Sequence, residues 1–133
     1  MSFKAKLKVG GKEYNVLACN YKLYQETDAT GRPSSITRGG KIKLTVEANE
    51  DTTLSDWMFN NFERRDGSIS FLKRDTDATL KELKFNEGYM VEFYENFDST
   101  GKNPMVAHFT ISARQIGIGT GEHVNEWAGH AGA

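Results

Sequence analysis

Few residues in this 133-residue chain have the type and spacing to do chemistry. The histidines are His108, His123 and His130. Glu122, His123, Glu126 and His130 would share one face of a helical C-terminal segment, a spacing able to hold a metal weakly. That segment is rich in Gly and Ala, and no metal site is assigned to it. His108 falls on the polar parity of a strand pattern, where an exposed or interface role is the default. Cys19 is the single cysteine, so it cannot form an internal disulfide, and its apolar flanks read as a small buried side chain. A catalytic thiol needs an activating partner, and the sequence nominates none. Asp75-Thr-Asp77 lacks the downstream Gly and Glu of a calcium loop and reads as a solvated turn. Gly117, Gly119 and Gly121 follow a terminal strand and open no strong helix, so they are not a dinucleotide fingerprint. No catalytic residue, cofactor or metal is expected, and the enzyme reading is poor.

The elements that would position these residues are mostly strands. Phe3, Ala5, Leu7 and Val9 alternate with Lys4, Lys6 and Lys8, and Gly10-Gly11 gives a two-residue hairpin signal. The lysine row reads as a solvated face, or as a face toward a partner or channel. A second strand is expected from Lys12 to Leu23, and Ile42, Leu44 and Val46 mark a half-buried third. The period then changes. Leu54, Trp57, Met58 and Phe62 recur at helical spacing over 53–62, behind a capping-box-like Thr53-Leu-Ser-Asp56. Arg65-Asp-Gly67 reads as a tight turn and Ser68 to Lys73 as a strand. Leu83, Phe85, Tyr89, Val91 and Phe93 share one parity, with Gly88 marking a bulge. Met105, Ala107, Phe109, Ile111 and Ala113 form the buried face of the last strand, before a Gly-rich, weakly helical tail around Val124 and Trp127. Trp57, Phe62, Phe85, Tyr89 and Phe109 are the expected core anchors. The fold class is mainly β: a small antiparallel barrel with one flanking helix, closed because an open sheet would leave adhesive edges. The barrel domain is expected over 1–116 and the tail over 117–133.

Seventeen basic and eighteen acidic side chains leave a formal charge of −1, which gives no electrostatic reason to expect nucleic acid or an anionic membrane as partner. No segment has the length of a membrane helix, so no membrane insertion is expected. The N-terminus, Met1-Ser-Phe-Lys-Ala-Lys-Leu-Lys, lacks the apolar run of a cleavable signal peptide. This predicts a protein made in the cytoplasm that would leave the cell, if at all, by another route.

The feature left over is the polar connection Gln25–Gly40. Loops this long inside a compact domain are usually functional or disordered. It holds no nucleophile with its base and no phosphate cradle, which points to an arm that touches another protein. The stretch Gln25-Glu-Thr-Asp-Ala-Thr-Gly-Arg-Pro-Ser-Ser, followed by Thr37-Arg-Gly-Gly-Lys-Ile, resembles the tube protein of the type VI secretion system, the Hcp (TssD) family, in its Bacteroidetes form. Asp51-Thr-Thr-Leu-Ser-Asp-Trp-Met, Phe62-Glu-Arg, Glu87-Gly-Tyr-Met-Val, Phe97-Asp-Ser-Thr-Gly and Phe109-Thr-Ile-Ser-Ala-Arg are similar to the same pattern, which runs to about Ile116.

The resemblance implies a phage-tail-tube-like barrel and a structural function without catalysis. Six copies would form a ring, rings would stack into a hollow tube, and the tube would sit inside a contractile sheath with spike and baseplate proteins. Effectors would ride in the lumen. The tube would be cytoplasmic before firing and then secreted to the exterior or a target cell without a cleaved signal. Contacts between subunits and stacked rings are assigned to the arm residues Glu26, Asp28, Thr30, Gly31, Arg32, Pro33, Ile36 and Arg38, with Arg32 and Arg38 pairing with acidic groups of a neighbour. Two alternatives stay open: a phage or contractile-injection tail-tube protein, and a monomeric barrel that binds a small ligand inside.

Overall fold

The computed structural model of the chain describes residues 3–102 and 104–127. Seven strands and one helix follow in the order β1 (Phe3–Val9), β2 (Lys12–Tyr21), β3 (Lys41–Glu47), α1 (Thr53–Phe59), β4 (Arg64–Lys73), β5 (Thr79–Phe97), β6 (Met105–Ile118) and β7 (Gly121–Val124). All pairings are antiparallel, in the order β3-β2-β1-β4-β5-β6-β7, and a further β3–β6 ladder closes the sheet. Closure makes a six-stranded barrel from β1 to β6 and removes the free edges along it. β6 does double duty. Residues Val106–Ser112 pair with β3, whereas Gln115–Ile118 pair with β7.

Alternation explains most of the barrel. Leu7 and Val9 from β1, Ile42, Leu44 and Val46 from β3, and Phe109, Ile111 and Ala113 from β6 point inward, with Ile69, Leu83 and Phe85 between them. These side chains fill the interior as one apolar cluster. Gly10 and Gly11 carry φ of 59° and 74°, as a two-residue hairpin of this hand requires. The β1 lysines find partners within the chain: Lys4 with Asp77, and Lys6 and Lys8 with Glu13.

Several expectations are corrected. The helix stops at Phe59 because Asn60 turns to an extended conformation, and Phe62, expected in the core, is 86% exposed with φ of 61°. The N-cap lies one residue earlier than the motif suggested, and its side chain bonds no backbone amide of the helix. Thr52 is the N-cap, its hydroxyl donates to Asp56 (3.1 Å), and the Asp51 carboxylate accepts the amide and hydroxyl of Thr53. Trp57 is the helix's true anchor, buried with its Nε1–H donating to the Glu63 carbonyl at 2.9 Å. Arg65-Asp-Gly67 is not a turn but a bulge inside β4. On β5, Leu83 and Phe85 are buried as expected. Past Glu87 (φ 53°) the parity shifts, so Gly88 and Met90 turn inward while Val91 is exposed and Tyr89 is only half-buried. A Cβ on Gly88 would come within 2.8 Å of Ile111, which explains why the bulge brings a glycine to the core. A second shift between Met90 and Glu92 restores the original parity and places Phe93 on Phe109. The C-terminal segment is strand, not helix, through Val124, and the expected boundary at 116 falls within β6. His130 lies outside the described residues.

Candidate assembly surface

Between β2 and β3 the chain leaves the barrel as a two-legged arm over 22–40. Its legs touch at two isolated bridges, Tyr24 with Arg38 and Thr27 with Pro33. The Tyr24–Arg38 bridge is bonded in both directions, at 3.0 and 2.7 Å. Nearer the tip, the Ser34 amide donates to the Glu26 carbonyl (2.7 Å), and the Glu26 amide donates to the Ser35 hydroxyl (2.8 Å). Asp28 organises the tip. One of its carboxylate oxygens accepts the amides of Thr30 and Arg32 and the Thr30 hydroxyl, while its carbonyl accepts the Gly31 amide. Those bonds, the Thr30 side chain's first, hold the Asp28 carboxyl below its ordinary range. Gly31 takes φ of 88°, which a residue with a Cβ rarely adopts.

The predicted contact residues therefore lie together on one arm, and all of them are exposed. Within one copy Arg38 pairs with Glu26 at 3.2 Å, and Asp28 serves its own turn. What the arm offers outward is Ile36, 77% exposed, and the Arg32 guanidinium, which makes no ion pair among the described residues. The arm holds this shape through bonds within a single copy.

Sequence reasoning missed the root of this arm. Asn125, just past β7, donates through Nδ2 to the carbonyls of Gly39 (3.0 Å) and Ala113 (3.1 Å), and its Oδ1 lies 2.9 Å from His123 Nε2. Gly40 re-enters the barrel at φ of 105°, and its carbonyl accepts the Ala113 amide at 2.8 Å. The segment expected as a Gly-rich, weakly helical tail thus clamps the arm to β6. Its only advance signal was an amide side chain among glycines. A second surface also escaped notice. Phe62 stands exposed in an open groove that Trp57, Val91 and Trp127 also line, and Phe59 at the end of α1 is exposed as well.

The residues first considered for chemistry stay apart. His108 lies 2.9 Å from the Thr45 hydroxyl and stacks on Tyr94 with ring centres 4.6 Å apart. Burial pushes the Cys19 thiol up to about 11, so it is a poor nucleophile at neutral pH. Glu122 and His123 are adjacent on a strand and so point to opposite faces, and among the described residues no group of three possible metal ligands forms.

With the closed barrel, flanking helix and arm established, comparison with known proteins is decisive. The family model described as Hemolysin coregulated protein Hcp (TssD) matches residues 1–128. The chain belongs to the Hcp family. Hcp1 from Flavobacterium johnsoniae is 56% identical, with a TM-score of 0.88 over 92% of this chain and 99% of that one. Hcp1 from Salmonella typhimurium shares the fold at 12% identity and a TM-score of 0.75, over 93% of this chain and 95% of that one. So does a chain of the sheath–tube complex of an extracellular contractile injection system, at 19% identity and a TM-score of 0.54, over 86% and 87%. No curated protein matches. As an Hcp protein, the chain is a structural tube subunit of the type VI secretion system.

Proposed function

We propose that this Hcp protein forms six-membered rings that stack into a hollow tube, with the arm of each subunit making the contacts between neighbours. The preformed arm carries this reading. Ordering a flexible loop on binding costs roughly 1–2 kcal/mol per residue of backbone entropy, and a hydrogen-bonded arm has met that cost while folding. The contact is assigned to Thr30, Gly31, Arg32, Pro33 and Ile36 at and beside the tip. Glu26, Asp28 and Arg38 act by shaping the arm. Sheath, spike and baseplate proteins complete the machine, and effectors travel in the lumen. The tube assembles in the cytoplasm and is secreted by the machine itself, without a cleaved signal.

The filled barrel interior speaks against a monomeric ligand-binding barrel, since Leu7, Ile42, Ile69, Phe85 and Ile111 occupy the space a ligand would need. No catalytic step is assigned to the chain. The test is native mass spectrometry with negative-stain images of the purified protein, alongside a variant lacking residues 30–36. Six-membered rings are expected from the wild type. The shortened arm should abolish stacking while the barrel keeps its melting temperature. Unchanged stacks in the variant would remove the arm from the contact, and a wild-type monomer at high concentration would overturn the ring.

A further inference from the structure

The β2–β3 side of the barrel carries opposite charge at its two ends. At the arm's root, Lys43 pairs with Asn20 across the β2–β3 ladder, and Tyr21 pairs with Ile42, which sets Lys22 beside Lys41. These three lysines, with Tyr24 and Arg38, line an open groove of about 580 Å3. Arg38 is engaged by Glu26, and Lys22 lies 4.9 Å over the Tyr24 ring. Among the described residues none of the three lysines makes an ion pair. Glu92 shares the Lys43 row but is separated from it by Thr110, two strand spacings or about 10 Å away.

The far end is acidic. β3 ends at Glu47, and the exposed Glu50 follows it. The neighbouring hairpin between β5 and β6 brings Glu95 and Asp98 to the same end, because the Ala48 amide donates to the Met105 carbonyl and the Asp98 amide to the Pro104 carbonyl. Glu47 accepts only from Asn15, Asp98 bonds its own turn through Thr100, and Glu50 and Glu95 make no ion pair among the described residues. Lys102 in that hairpin and Lys12 at the start of β2, near Asp51, still leave the end net negative.

These poles cannot satisfy each other within one copy. Seven residues of extended strand separate them by about 20 Å, more than twice the Debye length of about 8 Å at physiological salt. A second copy displaced along the strand direction brings opposite poles together, whereas an inverted copy opposes like charges. We infer that the lysine groove at the arm's root receives the Glu47–Glu50–Glu95–Asp98 end of a second copy, making association head-to-tail and polar. This rests on the stacked-ring reading above and names the two faces that meet.

Charge reversal tests it on the full-length chain. One variant carries Lys22→Glu, Lys41→Glu and Lys43→Glu; a second carries Glu47→Lys, Glu50→Lys and Glu95→Lys; a third carries all six. Native mass spectrometry reads rings, negative stain reads stack length at low salt, and thermal melts read the fold. Each single-pole variant should keep its rings and melting temperature while stacking falls about tenfold or more. The six-fold variant, or a mixture of the two three-fold variants, should restore stacks. Stacks of wild-type length from either three-fold variant would overturn the inference, as would failure of both rescues with rings intact. Saturable binding of a nucleic-acid oligomer by the lysine groove, without any loss of stacking on its reversal, would reassign the groove to a polyanion. Absence of rings from the wild type would instead defeat the underlying reading.

Discussion

The barrel and the arm hold their shapes by opposite means. The barrel buries Leu7, Ile42, Ile69, Phe85 and Ile111 almost completely, so its geometry follows from excluding water from a contiguous apolar cluster. Apart from Ser35, a half-buried residue that bridges its legs, the arm from Lys22 to Arg38 is exposed, and backbone bonds, an Asp28-centred turn and the Asn125 clamp keep its form. A core of this kind confers stability and little outward specificity. A self-bonded polar arm confers a defined contact shape and little stability. On the assembly proposed above, the two tasks of a tube subunit, surviving as a folded unit and recognising its copies, would fall on separate parts of the chain.

That division makes predictions of descending size. Trp57→Ala should cost about 3–5 kcal/mol in denaturant unfolding, because it empties a fully buried site and removes the bond to Glu63. A loss below about 1 kcal/mol would mean α1 does not anchor the barrel. Asn125→Ala should lower stacking several-fold and speed hydrogen exchange at the Tyr24 and Arg38 amides, with the β1 and β4 amides unchanged. Uniform exchange changes would show that arm and barrel are one cooperative unit.

The Tyr14 hydroxyl donates to Asp51 at 2.5 Å, and burial, with that bond second, raises its pKa from 10.0 to about 12. A raised folded value means the contribution is complete below pH 10 and is lost as pH rises toward 12. Wild-type stability should therefore fall across that alkaline window, and Tyr14→Phe should flatten this part of the profile. An identical slope in the variant would assign it to other groups. Smallest is Cys19, whose raised pKa predicts slow alkylation at neutral pH and no effect of prior alkylation conditions on assembly. Rapid labelling of the native protein would contradict this.

Most of the barrel was legible because alternation is a direct record of which face is wet. β3 carries it without interruption, β1 over 5–9 and β6 over 107–113, whereas Phe3 and Met105 at the strand starts are exposed and Ile116 is buried on the other parity. Trp57, Phe85 and Phe109 are buried where their patterns put them. The failures share a cause: one residue can change the frame without changing composition. The Glu87 bulge reverses the parity of Tyr89 and Val91, and the extended Asn60 ends α1 before Phe62 completes its apparent helical spacing. β7 has four residues, too few to display a period. The arm was legible as a loop that needed a purpose. Its internal bonds were not, since Glu26 and Arg38 look the same in sequence whether they pair with each other or with a neighbour.

The closing ladder sets the order of events as the chain folds. It joins Lys41–Glu47 to Val106–Ser112, segments far apart in sequence, so it must form against a large loop-closure entropy and is expected late and slow. The same junction carries the bond from Ala113 to Gly40 and the Asn125 clamp at the arm's root. A chain that has not yet closed therefore has no fixed arm to present. In the proposed assembly, only a chain that has completed its fold would present the arm's contact shape to a growing tube.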